Sequence, residues 1–177
     1  VAYVQRVRER IGLQKSLMID AFCMWDIETT VRIAEALAPF KLTFLEEPLP
    51  PDDLDGYAEL VRRVQIPIAG GEHEYTTRGF KELIDRKLHA VLQPDINWCG
   101  GLTTVIEIYR LAKAAGLQVC LHRGCEPFAL HALAALDPLP LAESPRSWFN
   151  CLIGAPKIEN GKIRLTDAPG FGITAQP

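Results

Sequence analysis

The sequence predicts an α/β fold, a partial TIM-type (β/α) barrel of parallel strands, and three observations carry that expectation. Short apolar, strand-like runs alternate with amphipathic helical stretches along most of the chain. The first three runs each break into a loop at a carboxylate, and the interval is constant: Asp20, Glu46 and Glu72 follow one another at 26 residues, close to the ~30 residues of a βαβ repeat. The series then continues, with Ala90–Gln93 ending in Pro94-Asp95, Gln118–Leu121 ending in His122, and Leu139–Ala142 ending in Glu143. In a parallel sheet or barrel such positions converge at the C-terminal ends of the strands, where βα enzymes do their chemistry. A single acid after a strand is ordinarily a helix N-cap or a solvated loop residue. Six ionisable groups in phase are hard to obtain by chance.

Each element has its own signal. The chain opens in a helical stretch, Tyr3–Ile11, that leads to the first strand before Asp20; a domain seldom begins inside a repeating unit, so the expectation is a fragment or a chain with further N-terminal sequence. Asp26 caps a helix to about Ala38, with Val31, Ile33, Ala34 and Leu37 on its apolar face. Pro50-Pro51-Asp52-Asp53 starts the next, whose buried stripe is Leu54, Tyr57, Leu60 and Val61. Thr76-Thr77 is expected to cap a helix from Gly79 to Arg86, and Leu102–Ala115 makes a long helix ended by Gly116. A shorter one covers Phe128–Leu136. Strict alternation of β and α predicts right-handed crossovers between parallel strands. Residues 1–150 are thus expected to form the partial barrel. Residues 151–177 belong to no βα unit: Asn160-Gly161 between alternating residues signals a type I′ hairpin, followed by Pro169-Gly170-Phe171-Gly172. This tail is expected to pack on a capping domain outside the chain.

Composition narrows the function classes. With 177 residues and 48% hydrophobic content the chain can bury a substantial core. A net charge of −3 without a Lys/Arg cluster argues for no nucleic acid partner, and no run approaches the ~18 to 20 apolar residues that span a bilayer, so no membrane partner is expected. The five cysteines, Cys23, Cys99, Cys120, Cys125 and Cys151, show no CxxC spacing. That pattern predicts reduced thiols and a cytoplasmic setting, with Cys120 as a buried apolar residue in its strand. Three converging carboxylates repel unless a cation joins them, and an all-oxygen set suits a hard ion, Mg²⁺ first. No G-x-G-x-x-G follows a strand, which disfavours a nucleotide-binding sheet.

Read in order, Met18-Ile19-Asp20, Leu45-Glu46-Glu47-Pro48, Gly71-Glu72-His73, Gln93 through Gly101, Leu121-His122 and Leu141-Ala142-Glu143 resemble the enolase superfamily, mandelate racemase subgroup, and within it the acid-sugar dehydratases of the rhamnonate type. The resemblance implies an enolase-type (β/α)₇β barrel of which these strands are the third to the eighth. It implies Asp20, Glu46 and Glu72 as Mg²⁺ ligands, His122 as the acid/base residue oriented by Asp95, and Glu143 as the group holding a substrate carboxylate oxygen. It implies a hydro-lyase that takes the α-proton of a small-molecule sugar acid and expels the β-hydroxyl, in a homo-oligomer. His73 would line the substrate pocket. Arg123, which stands in Arg123-Gly124-Cys125 where rhamnonate-type enzymes carry Gly then Ser, would bind a second substrate carboxylate or be a surface cation; His89 and His131 are expected to be structural. A racemase or epimerase of the same superfamily, and a non-catalytic fragment, are the alternatives.

Overall fold

The computed structural model describes residues 1–138, 140–143 and 151–175. Helix α1 (Ala2–Ile11) precedes five βα-type units: β1 (Met18–Asp20), α2 (Ile27–Leu37), β2 (Phe44–Glu46), α3 (Leu54–Arg63), β3 (Ile68–Gly70), α4 (Thr76–Asp85), β4 (Val91–Leu92), α5 (Leu102–Ala115), β5 (Gln118–Val119) and α6 (Pro127–Leu136). The five strands pair in chain order, all parallel. Each strand therefore lies beside its successor, as the wall of a (β/α) barrel requires.

Helix boundaries follow local chemistry. Asp26 Oδ1 accepts from Thr29 N at 2.7 Å and Asp53 Oδ1 from Gly56 N at 2.9 Å, two side-chain caps on otherwise orphaned amides. Gly116 ends α5 in the left-handed conformation, at φ 70° and ψ 24°. Helix α4 starts three residues earlier than the sequence suggests, at Thr76. The cause is tertiary: Thr76 N donates to Cys99 O across the neighbouring loop at 2.9 Å, which fixes the chain's entry into the helix.

Strand alternation sorts the side chains into two apolar layers. Leu45, Leu60, Phe80, Leu88, Leu92, Ile108 and Leu121 are fully buried between sheet and helices. On the other face Phe44, Ala69 and Val91 form a smaller layer with Met18 and Cys120 packed against it. Met18 and Asp20, like Phe44 and Glu46, are two residues apart on one strand and so share a face; the carboxylates stand on top of this inner layer. Cys120 lies just past β5 and is only half-buried, whereas Cys99 and Cys125 are buried. A second structural device is Arg8, whose guanidinium donates to the carbonyls of Phe40, Gly12, Lys15 and Lys41 at 2.7 to 3.0 Å and ties α1 to the α2–β2 connection.

The last expected strand does not form in its described part. Leu139 lies outside the described residues, and 140–143 have no regular secondary structure; Glu143 is held instead by Cys125 N, which donates to its carbonyl at 2.9 Å. Among residues 151–175, β6 (Leu152–Ile153) pairs antiparallel with β9 (Thr174–Ala175), and β7 (Ile158–Glu159) with β8 (Lys162–Ile163). Asn160 and Gly161 turn that second pair at φ 52° and 71°, the geometry of a type I′ turn. The tail has an anchor on this chain's own helix: the Phe171 ring meets Phe128 and His131 edge-on, at centroid distances of 4.9 and 5.3 Å. No helix among the described residues is long and apolar enough to cross a membrane.

His89 is buried against Tyr57, with ring centroids 4.8 Å apart, and its Nδ1 has no hydrogen-bond partner among the described residues. Burial pushes its pKa down to about 4. The unfolded chain, with an ordinary His near ~6.5, then binds a proton that the folded chain refuses, so stability is full above that pH and falls as pH drops towards 4. His89→Leu should remove this part of the acid sensitivity, on the order of 1 to 3 kcal/mol, read as the wild-type-minus-variant difference in urea unfolding between pH 7 and pH 4.5. An unchanged difference would overturn the assignment.

Candidate active site

Parallel pairing sets the site. Asp20 pairs with Glu46 in register, Glu46 with Ala69, and an isolated parallel bridge joins Asp95 to His122. Neighbouring strands run about 4.8 Å apart, so Asp20 and Glu46 are adjacent without any help from loops. Glu72 follows β3 after Gly71, whose φ of 116° turns the chain back over the strand end.

The charges of these acids are felt by one another, although among the described residues their donor atoms do not all lie within 4.8 Å of one another. Burial pushes the Glu46 carboxyl up to about 7, and the charges of Asp20, Glu72 and Glu143 push the same way against a hydrogen bond from Gln93. Asp20 is raised by burial and then by Glu47 and Glu143, although Phe22 N donates to its Oδ1 at 2.8 Å. Glu72 is raised chiefly by burial, with His122 pulling the other way. Three neighbouring carboxylates, all oxygen donors, are chemically suited to a hard divalent cation.

Beside them stands a histidine held by a buried carboxylate. His122 Nδ1 lies 2.8 Å from Asp95 Oδ2, and both groups are buried. Asp95 cannot accept that bond without Nδ1 carrying a proton, and Nε2 is turned towards the acids, 3.3 Å from Glu72 Oε2 and 4.0 Å from Glu143 Oε2. Burial disfavours both charged forms, but the mutual bond outweighs it. Asp95 is held below the usual carboxylate range by His122 and by Asn97 N at 2.7 Å, and His122 is raised by Asp95, Glu72 and Glu143.

Behind the pair runs a chain of charges that the sequence did not announce. Arg123 Nε donates to Glu126 Oε1 at 2.6 Å, Arg123 Nη1 lies 3.8 Å from Asp95 Oδ2, and Glu126 is fully buried. The guanidinium, 14% exposed, is thus turned inward towards the dyad and is no surface cation. Its backbone N meanwhile donates to Glu143 Oε2 at 2.6 Å, which holds Glu143 over His122. His73 is likewise engaged: its Nδ1 meets buried Glu47 Oε2 at 2.9 Å and its Nε2 lies 3.7 Å from Glu72 Oε1. Trp98, 41% exposed, stands between the two histidines with its ring centroid 5.9 Å from each. Among the described residues, the three metal-capable side chains whose donor atoms all lie within 4.8 Å of one another are Cys23, Glu47 and His73, a cluster of which the sequence reading singled out only His73.

Comparison with known proteins identifies the family. The family model described as "Enolase C-terminal domain-like" matches residues 1–177. The chain belongs to that family. This enolase-like chain is 36% identical to the L-rhamnonate dehydratase of Saccharopolyspora erythraea over 98% of its own length and 47% of that protein. A racemase from Streptomyces coelicolor A3(2), crystallised with bound magnesium, superposes with a TM-score of 0.88 at 32% identity, over 98% of this chain and 48% of the other. L-talarate dehydratase from Polaromonas sp. JS666, complexed with Mg and L-glucarate, gives 0.88 at 32% identity over 99% and 49%. The enolase-like chain therefore spans about half the length of the relatives it matches, and its five-stranded parallel sheet is a partial enolase-type barrel.

Replacing Asp95 by Asn should lower the His122 titration seen by NMR, because the acceptor that favours the imidazolium loses its charge. The sign of the stability effect follows. A depressed Asp stabilises above its unfolded value near ~3.9 and a raised His below its own near ~6.5. The stability gap between wild type and Asp95→Asn should be widest between these values and shrink as pH rises through the His122 titration. A gap that grows above neutrality would contradict the pairing.

Proposed function

We propose that this enolase-like chain carries the catalytic strand ends of a Mg²⁺-dependent acid-sugar dehydratase, a hydro-lyase. The observation that carries the reading is the His122–Asp95 pair, whose Nε2 lies 3.3 Å from Glu72 Oε2 beside the strand-end carboxylates. Asp20, Glu46 and Glu72 would hold the ion, an assignment supported by their donor chemistry and by the magnesium in related structures. When bound, magnesium supplies the positive charge that steadies a substrate carboxylate while its α-carbon loses a proton.

The rest falls to side chains of the chain. His122 accepts the α-proton at Nε2 while Asp95 stabilises the imidazolium through Nδ1. The same imidazolium then delivers a proton to the departing β-hydroxyl, so one group serves both steps and the elimination is of the syn type. Water leaves, and the enol that remains becomes a 2-keto-3-deoxy acid. Glu143, positioned by Arg123 N, holds an oxygen of the substrate carboxyl group, and Trp98 and His73 border the space above. Arg123 acts through Asp95 and Glu126 and does not itself contact the substrate.

A second reading is supported by the racemase among the similar structures. Racemisation needs a base on each face of the α-carbon, and His122 provides one. The two readings separate in one assay on the complete protein. Sugar acids are screened for 2-keto acid formation while α-proton exchange is followed in D₂O. Dehydration is the expected outcome; exchange or epimerisation without loss of water would select the racemase, and silence on both counts would overturn the enzymatic reading. His122→Asn should cut turnover by at least ~10²-fold with magnesium affinity unchanged, measured calorimetrically.

A further inference from the structure

We infer that Cys23, Glu47 and His73 form a binding site for a borderline-soft divalent cation of the zinc class, separate from the carboxylate trio. The three side chains come from the loops after β1, β2 and β3, and Glu47 Oε2 already gathers them: Cys23 Sγ lies 3.2 Å from it and His73 Nδ1 2.9 Å. Tetrahedral zinc with bonds near ~2.0 Å to N and O and ~2.3 Å to S sets its ligand atoms roughly 3.3 to 3.5 Å apart. The observed separations from Glu47 Oε2 are within a few tenths of an ångström of those values.

The backbone holds the site ready. Cys23 and Glu47 sit at φ 57° and 35°, left-handed values that a non-glycine residue keeps only when its surroundings enforce them. Here Cys23 N donates to Glu47 O at 2.7 Å and Gly71 N to Glu47 Oε1 at 3.2 Å. The donor set of one sulfur, one nitrogen and one oxygen suits zinc and its neighbours and is wrong for magnesium, which demands oxygen. Three protein ligands leave a fourth position open. A cavity of about 230 Å³ bordered by Glu47, Asp52, His73 and Glu74 supplies the entry path and room for water.

The alternative use of such a thiol, as a nucleophile or redox centre, fails. Burial, the hydrogen bond to Glu47 and its charge push the Cys23 thiol up to about 12, which keeps it protonated and unreactive. Binding the cation displaces two protons: the Cys23 Sγ–H proton goes to solvent, and the proton shared between His73 Nδ1 and Glu47 Oε2 leaves so that both atoms can ligate. The site shares His73 with the border of the proposed active site but uses none of the proposed magnesium ligands.

Cobalt is the spectroscopic probe and zinc the competitor, with the chelator-stripped full-length protein. Cobalt should give a thiolate-to-metal charge-transfer band that zinc abolishes. Cys23→Ser should lose the band and weaken zinc by more than the ~10- to 100-fold that an outer-shell partner costs, and His73→Ala should weaken zinc likewise. Glu46→Gln should leave the band intact, which keeps this test distinct from that of the carboxylate trio. Crystals of the wild type soaked in zinc should show an anomalous peak about 2.3 Å from Cys23 Sγ. A band that survives in Cys23→Ser, cobalt bound without the band, no cobalt bound, or a zinc peak elsewhere would overturn the inference.

Discussion

Parallel pairing between consecutive strands is the constraint on which the molecule depends. Asp20 opposes Glu46 and Asp95 opposes His122 because successive strands of a twisted parallel sheet end at a common level, and the helices between them return the chain to the same starting height each time. The chemistry of the strand ends is therefore decided by a ladder whose strands are only two or three residues long. What keeps such short strands in register is the packing on both faces. Leu45 and Leu92 are held by the helices, while Phe44, Ala69 and Val91 stack as a small layer directly beneath the acids.

That layer also explains the electrostatics. Apolar atoms below and loops above take the carboxylates partly out of water, and burial is the largest cause of the upward shifts at Asp20, Glu46 and Glu72. The opposite arrangement stands one strand away. Asp95 is more deeply buried than any of them, yet it remains an anion because His122, Asn97 N and Arg123 surround it. Arg123 in turn is held by a carboxylate with no exposure at all, Glu126. Acids of one chemical type thus acquire opposite protonation tendencies from neighbours a few ångströms away.

Much of this was legible in the sequence because it is written in period and phase. The interval from Asp20 through Glu46 to Glu72 places strand ends, Asp26 and Asp53 announce helix starts, and Asn160-Gly161 announces a hairpin, since each of these is a local rule of backbone geometry. What escaped was tertiary. Glu47 and Glu126 look like ordinary loop acids, and only the fold shows that they are buried partners of His73 and Arg123. The inward turn of Arg123 depends on the same hidden partner. The early start of α4 depends on Cys99 O, which is 23 residues away along the chain from Thr76. A signal existed for one of these: Glu47 follows Glu46, and two adjacent acids at a buried strand end cannot both face the same side.

The left-handed residues have a further meaning for how such a sequence can change. Phe22, Cys23, Glu47, Thr76 and Arg123 all adopt positive φ, from 35° to 64°, and all lie after strand ends on the side that carries the acids. Each costs about 1 kcal/mol or more relative to an unstrained backbone. Glycine would relax every one of these positions, so random drift has a downhill path towards glycine that runs through the loops bearing Cys23, Glu47 and Arg123. A lineage under selection for stability alone would take that path and lose these side chains. The side chains that persist at such positions mark where selection has worked against the backbone's own preference, and they offer a way to tell a working member of this family from one that has begun to decay.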